Sequence, residues 1–146
     1  MIVDTSVIVA LAKSEPDAPD WAAKLENTRE PVRMSAVALV EASIVLGFRD
    51  AVVSRRLDAL IDEIGIEICP VTPEQAQIAR EAYRDFGRGS GHRANLNFGD
   101  CFSYALAKDR REGLMFKSDD FNHTDLGPDR GVGSDPAANR MGAQSV

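Results

Sequence analysis

Positive charge is scarce in this sequence. Its 146 residues include 17 Lys and Arg against 23 Asp and Glu, which gives a formal net charge of −6 and a pI near 4.9. Proteins that coat nucleic acids are usually basic over most of one face, so this balance argues against a general nucleic-acid coat. If the protein acts on a polyanion, something other than its net charge has to bring the two together.

Cysteines and long apolar runs are also few. Cys69 and Cys101 are the only two cysteines, which excludes a disulfide framework and indicates buried free thiols in a reducing cytoplasm. With His92 and His123 they would supply zinc ligands, but their spacing matches no compact zinc finger or ribbon. The longest uncharged stretch, Thr5–Ala12, is far shorter than the ~20 residues that span a bilayer. Because no basic leader precedes the apolar N-terminus, we expect a cytoplasmic protein without a membrane anchor.

Short apolar strands alternate with helices along most of the chain. The pattern predicts strands at 1–3, 32–34, 66–69 and 114–116, and helices at 7–12, 17–27, 36–48, 50–63, 73–86 and 98–109. A capping box at Thr72–Gln75 marks the start of the fifth helix. This alternation predicts one α/β domain with a parallel sheet. Residues 127–146 have few apolar side chains, and we expect a disordered tail there.

Acidic residues follow the ends of two predicted strands. Asp4 follows the first strand, and Asp119 and Asp120 follow the fourth. Ligands of open parallel sheets bind beyond the carboxyl ends of the strands, so these side chains are candidates for a site. An isolated Asp at such a position is more often a helix cap or a turn former.

Two further acids lie in apolar helices. Glu41 shares a helical arc with Val37, Ile44, Val45 and Phe48, an arc that we expect to be buried. Asp100 opens a helix whose next seven residues carry no charge, although a favourable interaction with the helix dipole would also explain it. A buried unpaired charge costs several kcal/mol, so each acid needs a cation, a hydrogen-bond network or a raised pKa.

Carboxylates that converge on one point repel one another, and a hard divalent cation relieves that repulsion. Mg²⁺ and Mn²⁺ prefer oxygen ligands. In such a site the metal activates a water molecule and stabilises charge on a phosphodiester. The sequence offers no Ser, Cys or His arrangement that competes as a nucleophile, so a metal-dependent phosphodiesterase fits the acids best.

Four segments, taken in order, carry a family resemblance. They are Ile-Val-Asp-Thr-Ser at the N-terminus, Met-Ser-Ala-Val-Ala-Leu-Val-Glu ending at Glu41, Gly-His-Arg-Ala-Asn-Leu-Asn-Phe-Gly-Asp-Cys ending at Cys101, and Phe-Lys-Ser-Asp-Asp-Phe from Phe116. These motifs resemble those of the PIN-domain ribonucleases, and they are most similar to the VapC toxins of bacterial VapBC toxin–antitoxin systems. In order and spacing, the resemblance covers residues 1–126.

The resemblance implies a fold and a metal site. The fold is a three-layer α/β/α sandwich around a parallel sheet of four or five strands. The activity is that of an endoribonuclease with Mg²⁺ as cofactor, for which Mn²⁺ substitutes. Asp4, Glu41 and Asp100 match the family's metal-binding acids, and Asp119 or Asp120 supplies the fourth catalytic acid. Close relatives often read Lys-Gly-Asn-Asp-Phe in the last motif, which favours Asp120, although this chain has Ser and Asp where those relatives have Gly and Asn.

The resemblance also implies supporting residues and partners. Ser6 and Asn95 match family positions near the acidic pocket, where they orient water or ligands. The expected partners are an RNA substrate, a VapB-type antitoxin that covers the pocket, and a second copy of the chain in a homodimer. The apolar helices at 36–64 are candidate surfaces for the protein partners. The alternative is a catalytically inactive PIN-like module that binds a partner protein or RNA.

Basic residues are concentrated in one stretch that precedes Asp100. Arg80, Arg84 and Arg88 recur at helical spacing, and His92 and Arg93 follow in a glycine-rich loop. Salt bridges to neighbouring acids explain Arg80 and Arg84 at least as well as RNA binding does. For Arg88 and Arg93, with His92, contact with RNA phosphates is the favoured interpretation because their loop leads directly to a predicted metal ligand.

Two other α/β classes with acidic Mg²⁺ pockets fit less well. A phosphoacceptor receiver domain needs paired acids after the first strand and an Asp after the third. Here Asp4 stands alone, and the third strand ends at Cys69 and Pro70. A haloacid-dehalogenase-type phosphatase needs a second Asp two residues after the first, where this chain has Ser6.

Overall fold

Four short parallel strands lie at the centre of the structure, a computed structural model in which residues 1–127 are described. In chain order the elements are β1 (Ile2–Val3), α1 (Thr5–Ala12), α2 (Ala18–Asn27), β2 (Arg33–Ser35), α3 (Ala36–Leu46), α4 (Ala51–Ile64), β3 (Glu67–Cys69), α5 (Pro73–Phe86), α6 (Phe98–Arg110), β4 (Leu114–Met115) and a 3₁₀ helix (Asp119–His123). The strand order is β3-β2-β1-β4, and each neighbouring pair is parallel. The predicted α/β fold is confirmed, with four strands in the described part of the chain.

Helices cover both faces of this sheet. Successive side chains of a strand point to opposite faces, and both residues of β1 are fully buried. Val3 packs in a cluster with side chains of α1 to α4, whereas Ile2 packs against Leu106 and Ala107 of α6. A further cluster joins α5 to α6 and includes Phe121 from the 3₁₀ helix. This arrangement is the three-layer sandwich that the resemblance implies.

The predicted orientation of α3 is wrong. Ile44, Val45 and Phe48, which we expected to be buried with Glu41, are 62 %, 50 % and 52 % exposed. The fully buried side of α3 carries the small residues Ala38 and Ala42 instead. Because α3 is apolar nearly all round, its periodicity does not identify the side that meets the core. Small side chains allow the closest approach between helices, and this decided the orientation.

The start of α5 follows the sequence prediction only in part. The Thr72 hydroxyl accepts a hydrogen bond from the backbone N–H of Gln75 (3.1 Å), so the predicted N-cap is present. The Gln75 side chain does not complete a capping box, because its buried amide donates to Asp109 of α6 (2.9 Å). A tertiary hydrogen bond therefore replaces the local one, and it joins α5 to α6.

Three simpler expectations concern cysteines, membrane spans and the tail. Cys69 and Cys101 are both buried and free, as predicted. Across residues 1–127, no helix has the length and apolar character needed to cross a bilayer. The predicted tail at 127–146 lies outside the described residues except for Gly127.

Candidate active site

Asp4 lies at the carboxyl end of β1 and caps helix α1. Its Oδ2 accepts hydrogen bonds from the Ser6 backbone N–H (3.0 Å) and the Ser6 hydroxyl (2.7 Å). The residue is only 2 % exposed, yet its Oδ1 is buried without a hydrogen-bond partner in the described structure. A buried carboxylate oxygen without a hydrogen-bond partner is costly, so this atom is a candidate ligand for a cation.

Asp100 is held at the start of α6 by a reciprocal cap. Asn97 Oδ1 accepts from the Asp100 backbone N–H (2.8 Å), and Asp100 Oδ2 accepts from the Asn97 backbone N–H (2.8 Å). Asp100 is 5 % exposed. The Asn-x-x-Asp spacing is itself a capping pattern, and it would have identified Asn97 from the sequence. The cap fixes one carboxylate oxygen of Asp100 and leaves the other available.

Glu41 reaches the same place from helix α3. A Cβ atom built on Gly99 would lie 1.2 Å from Glu41 Oε2, so the carboxylate of Glu41 fills the space beside that glycine. Gly99 is in the first turn of α6, next to Asp100. Sequence reasoning missed the role of Gly99, and the signal for it is a glycine inside a helix, where this residue is normally unfavourable.

Four acids, Asp4, Glu41, Asp100 and Asp120, repel one another electrostatically, and we refer to them as the acidic cluster. Burial, with the charges of Asp4, Glu41 and Asp120, raises the pKa of Asp100 to about 7. Burial and the Asp4 charge raise the pKa of Glu41, whereas the Arg88 charge lowers it. Burial also raises the pKa of Asp120, against the charge of Arg88. The charge of Asp4 thus acts on each of the other three acids of the cluster.

Asp119 is exposed and has hydrogen-bond partners outside this cluster. Its side chain is 79 % exposed, and its Oδ1 accepts a hydrogen bond from Asn122 Nδ2 (2.7 Å). Hydrogen bonds from Asn122 and His123 lower the pKa of Asp119. Asp120 differs because burial raises its pKa and because it interacts with Asp4. Of the two adjacent acids, Asp120 is the one that interacts electrostatically with Asp4 and Asp100.

The donor set of the cluster fits a hard divalent cation. It offers carboxylate oxygens only, and Asp4 Oδ1 lacks a partner. Within residues 1–127, no three His, Cys, Asp or Glu side chains are already arranged around a single point as metal ligands. Binding of a cation by three of these carboxylates would therefore require their side chains to move.

The loop between α5 and α6 is tied at its base. The Arg88 backbone N–H donates to the carbonyl of Leu96 (3.0 Å), and the N–H of Leu96 donates to the carbonyl of Phe86 (2.9 Å). His92 Nδ1 accepts a hydrogen bond from the backbone N–H of Ala94 (3.1 Å). The His92 ring packs edge-on against the Phe86 ring, with 4.9 Å between the two ring centroids. His92 thus has a clear structural role in the loop, which leaves its Nε2 for any contact with a ligand.

The two arginines of this loop lie on the side of the acids. Arg88 and Arg93 are exposed. The charge of Arg88 lowers the pKa of both Glu41 and Asp120, and that of Arg93 lowers the pKa of Asp119. The positive charge of the loop therefore borders the acidic cluster.

Three other polar residues of this region have local explanations. Arg84 forms a bidentate pair with Asp85 (2.6 and 2.9 Å), and Arg80 donates to Gln77 (3.1 Å), which agrees with the salt-bridge interpretation for Arg84. Asn95 is exposed and has a φ of +52°, a left-handed conformation that Asn tolerates better than most residues. This backbone conformation accounts for Asn at position 95 without any contact to a ligand.

Known proteins are similar to most of this chain. A family model described as PIN domain matches residues 1–126. Ribonuclease VapC28 of Mycobacterium tuberculosis is 56 % identical over 125 residues, which make up 85 % of this chain and 93 % of that protein. Ribonuclease VapC42 of the same organism is 48 % identical over 129 residues, or 88 % of this chain and 98 % of that protein.

A solved structure has the same fold. It is the crystal structure of Mycobacterium tuberculosis VapC20, described as a toxin that cleaves the sarcin-ricin loop, and it superposes with a TM-score of 0.67. The match covers 83 % of this chain and 92 % of VapC20 at 19 % sequence identity. At this identity the similarity shows a shared fold.

Proposed function

The chain belongs to the PIN-domain family, among the VapC ribonucleases, and from this premise we propose that it is an endoribonuclease toxin of a type II toxin–antitoxin system. The observation that carries the proposal is the acidic cluster at the carboxyl end of the sheet, with a buried oxygen of Asp4 left without a partner. We assign the catalytic domain to residues 1–126, and its place of action to the cytoplasm, where cellular RNA is available.

The proposed cofactor is Mg²⁺, with Mn²⁺ as a substitute. Asp4, Glu41 and Asp100 would hold it, and Asp120 is the fourth acid of the site in preference to Asp119. The chemistry that such an ion supplies is activation of a water and stabilisation of charge on the scissile phosphodiester. Ser6 keeps one oxygen of Asp4 occupied and so directs the other to the ion.

The pKa of Asp100 gives this residue a further property. With a value of about 7, the carboxyl group carries a proton for part of the time near neutrality. A divalent cation requires the ionised carboxylate and therefore competes with that proton. We expect cation binding to strengthen as the pH rises through 7.

RNA reaches this acidic protein through a small basic region. Arg88 and Arg93 are exposed, and the charge of Arg88 acts on Glu41 and Asp120 of the acidic cluster, which supports a role for both guanidinium groups in binding RNA phosphates. His92 can add a contact only through Nε2, because Nδ1 already accepts a backbone hydrogen bond. The positive charge that meets RNA is thus supplied jointly by the cation and the loop.

Protein partners would cover the exposed apolar side chains of α3 and the following turn. Val40, Ile44, Val45 and Phe48 are all at least half exposed, which is unusual for a group of large apolar residues. We propose a homodimer and a VapB-type antitoxin as partners. Light scattering of Ile44→Asp, with and without the antitoxin, tells which of them uses this surface: the loss of the dimer assigns it to the second copy, and the loss of the complex alone assigns it to the antitoxin.

The direct test is to map cleavage sites on total cellular RNA with Mg²⁺. Wild-type protein should cut at defined positions, and Asp4→Asn or excess EDTA should abolish the cuts. Asp58→Asn, which removes an exposed charge on α4, is the matched control and should cut as wild type does. RNA binding without cleavage, unaffected by Asp4→Asn, would instead favour the inactive binding module.

A further inference from the structure

A lysine ties the segment that leaves β4 to the beginning of α2. The Nζ of Lys117 pairs with the carboxylates of Glu15 and Asp17, at 2.8 Å from Asp17 Oδ1. Asp17 Oδ2 also accepts a hydrogen bond from Trp21 Nε1 (3.0 Å). The three charged side chains are 32–36 % exposed, so these ion pairs are partly sheltered from solvent. The ammonium group bridges two acids that lie about 100 residues before it in the sequence.

The backbone of the same lysine begins a chain of hydrogen bonds that ends on Asp4. The Lys117 N–H donates to Ser6 Oγ (3.0 Å), and the Ser6 hydroxyl donates to Asp4 Oδ2 (2.7 Å). A hydroxyl group has a single hydrogen. Because Ser6 Oγ accepts from Lys117, its hydrogen is directed to Asp4, and the carboxylate keeps one orientation with Oδ1 unpartnered.

We propose that Lys117 is a positioning residue for the cation site: its ion pairs with Glu15 and Asp17 hold its own backbone N–H against Ser6, and Ser6 thereby directs the free oxygen of Asp4 to the cation. This inference rests on the proposed function, because it presupposes a cation at Asp4. It adds that the affinity for the cation depends on an ion-pair bridge whose side chains are not themselves ligands.

The sign of the expected effect separates this role from simple electrostatics. Lys117→Met removes a positive charge from the neighbourhood of an acidic site, and Coulomb attraction alone would then strengthen the binding of a divalent cation. Loss of a positioning contact acts in the opposite direction. Removing a residue that orients a metal ligand typically lowers metal affinity by about 10- to 100-fold, so we expect Mn²⁺ to bind Lys117→Met about tenfold more weakly.

The experiment is titration calorimetry of the full chain with Mn²⁺. Lys117→Arg retains a cation that can bridge both carboxylates and should keep most of the affinity. Lys108→Met is the matched control, because Lys108 pairs with Asp125 (2.6 Å) at a comparable exposure of 40 % and its loss changes the net charge equally. It should bind Mn²⁺ at least as tightly as wild type. A Lys117→Met protein that binds as tightly as Lys108→Met overturns the inference.

A second variant keeps the test valid if Lys117→Met is less stable. Ser6→Ala leaves both ion pairs in place and should also weaken Mn²⁺ binding. If Lys117 acts through Ser6, the double variant should bind Mn²⁺ only slightly more weakly than the single variant with the lower affinity. Losses of binding free energy that add up fully in the double variant would show that the two residues act independently. If wild-type protein fails to bind Mn²⁺, the proposed cation site is wrong and this inference falls with it. If wild type binds and the Lys117 and Ser6 variants bind equally well, only this inference is wrong.

Discussion

Neutralising Asp100 should stabilise the protein and abolish the proposed binding of a divalent cation. In the folded protein the pKa of this carboxyl group is raised from 3.8 to about 7. A raised pKa means that the folded state disfavours the charged form, so stability is lost as the pH rises from about 4 to about 7. Asp100→Asn removes this penalty. The cap at the start of α6 is kept, because the amide oxygen of the new side chain can accept the hydrogen bond from the Asn97 backbone N–H.

The magnitude follows from the size of the shift. One pKa unit corresponds to about 1.4 kcal/mol, so a shift from 3.8 to about 7 is on the order of 4 kcal/mol above pH 7. The gain from Asp100→Asn should be nearly complete at pH 8. It should be small at pH 4, where the carboxyl group of the folded state is protonated and that of the unfolded state, with its pKa of 3.8, is still partly protonated. Even a quarter of this stabilisation free energy would raise the melting temperature by about 3 °C or more.

The assay is thermal unfolding in EDTA at pH values from 4 to 8, followed by the same measurement with Mn²⁺. Without a cation, Asp100→Asn should melt above wild type at pH 8. With Mn²⁺ at about 100 times its dissociation constant, wild type should gain about 2.7 kcal/mol and the variant nothing. Asp58→Asn makes the same change of charge at an exposed position and should follow wild type throughout. An Asp100→Asn protein less stable than wild type at pH 8 in EDTA would show that the folded state does not disfavour the ionised form of Asp100.

Three further predictions concern neighbouring residues. Asp120→Asn should reduce RNA cleavage by at least about 100-fold, whereas Asp119→Asn should leave at least half of the activity; equal losses in the two variants would contradict the assignment of the fourth acid. Gly99→Ala should displace the Glu41 carboxylate and weaken Mn²⁺ binding with little change in melting temperature, since a flexible side chain can move; unchanged affinity would count against a ligand role for Glu41. Replacing both Arg88 and Arg93 by Ala should reduce the slope of log affinity for RNA against log salt concentration by the amount expected for about two phosphate contacts, without weakening Mn²⁺ binding. An unchanged slope would exclude these arginines as phosphate contacts.

The acidity of the chain takes on a local meaning in this structure. A net charge of −6 suggests at first that the protein avoids polyanions. The acids that matter for the proposed function are few, and they meet where a cation can offset them. In the proposed function, the charge that attracts RNA is local to this site, which the total charge does not reveal.

Most of the helices and strands, and the positions of the acids within them, could be predicted from local patterns in the sequence. Apolar segments alternate with helical patterns, and this was enough to predict a parallel sheet, because parallel strands need helical crossovers. The motifs around Asp4 and Asp100 lie within a few residues of a strand end or a helix start. Such local signals survive in a sequence because backbone hydrogen bonds and caps involve near neighbours.

The way in which these elements face one another depends on tertiary packing and could not be predicted from local patterns. The orientation of α3 was predicted wrongly, since an almost wholly apolar helix has no preferred side and the packing of Ala38 and Ala42 chose it. The approach of Glu41 to Gly99 joins two helices, and the bridge from Lys117 to Asp17 joins segments 100 residues apart. No local pattern encodes such contacts, because they depend on the strand order of the sheet and on which small side chains let the helices come close.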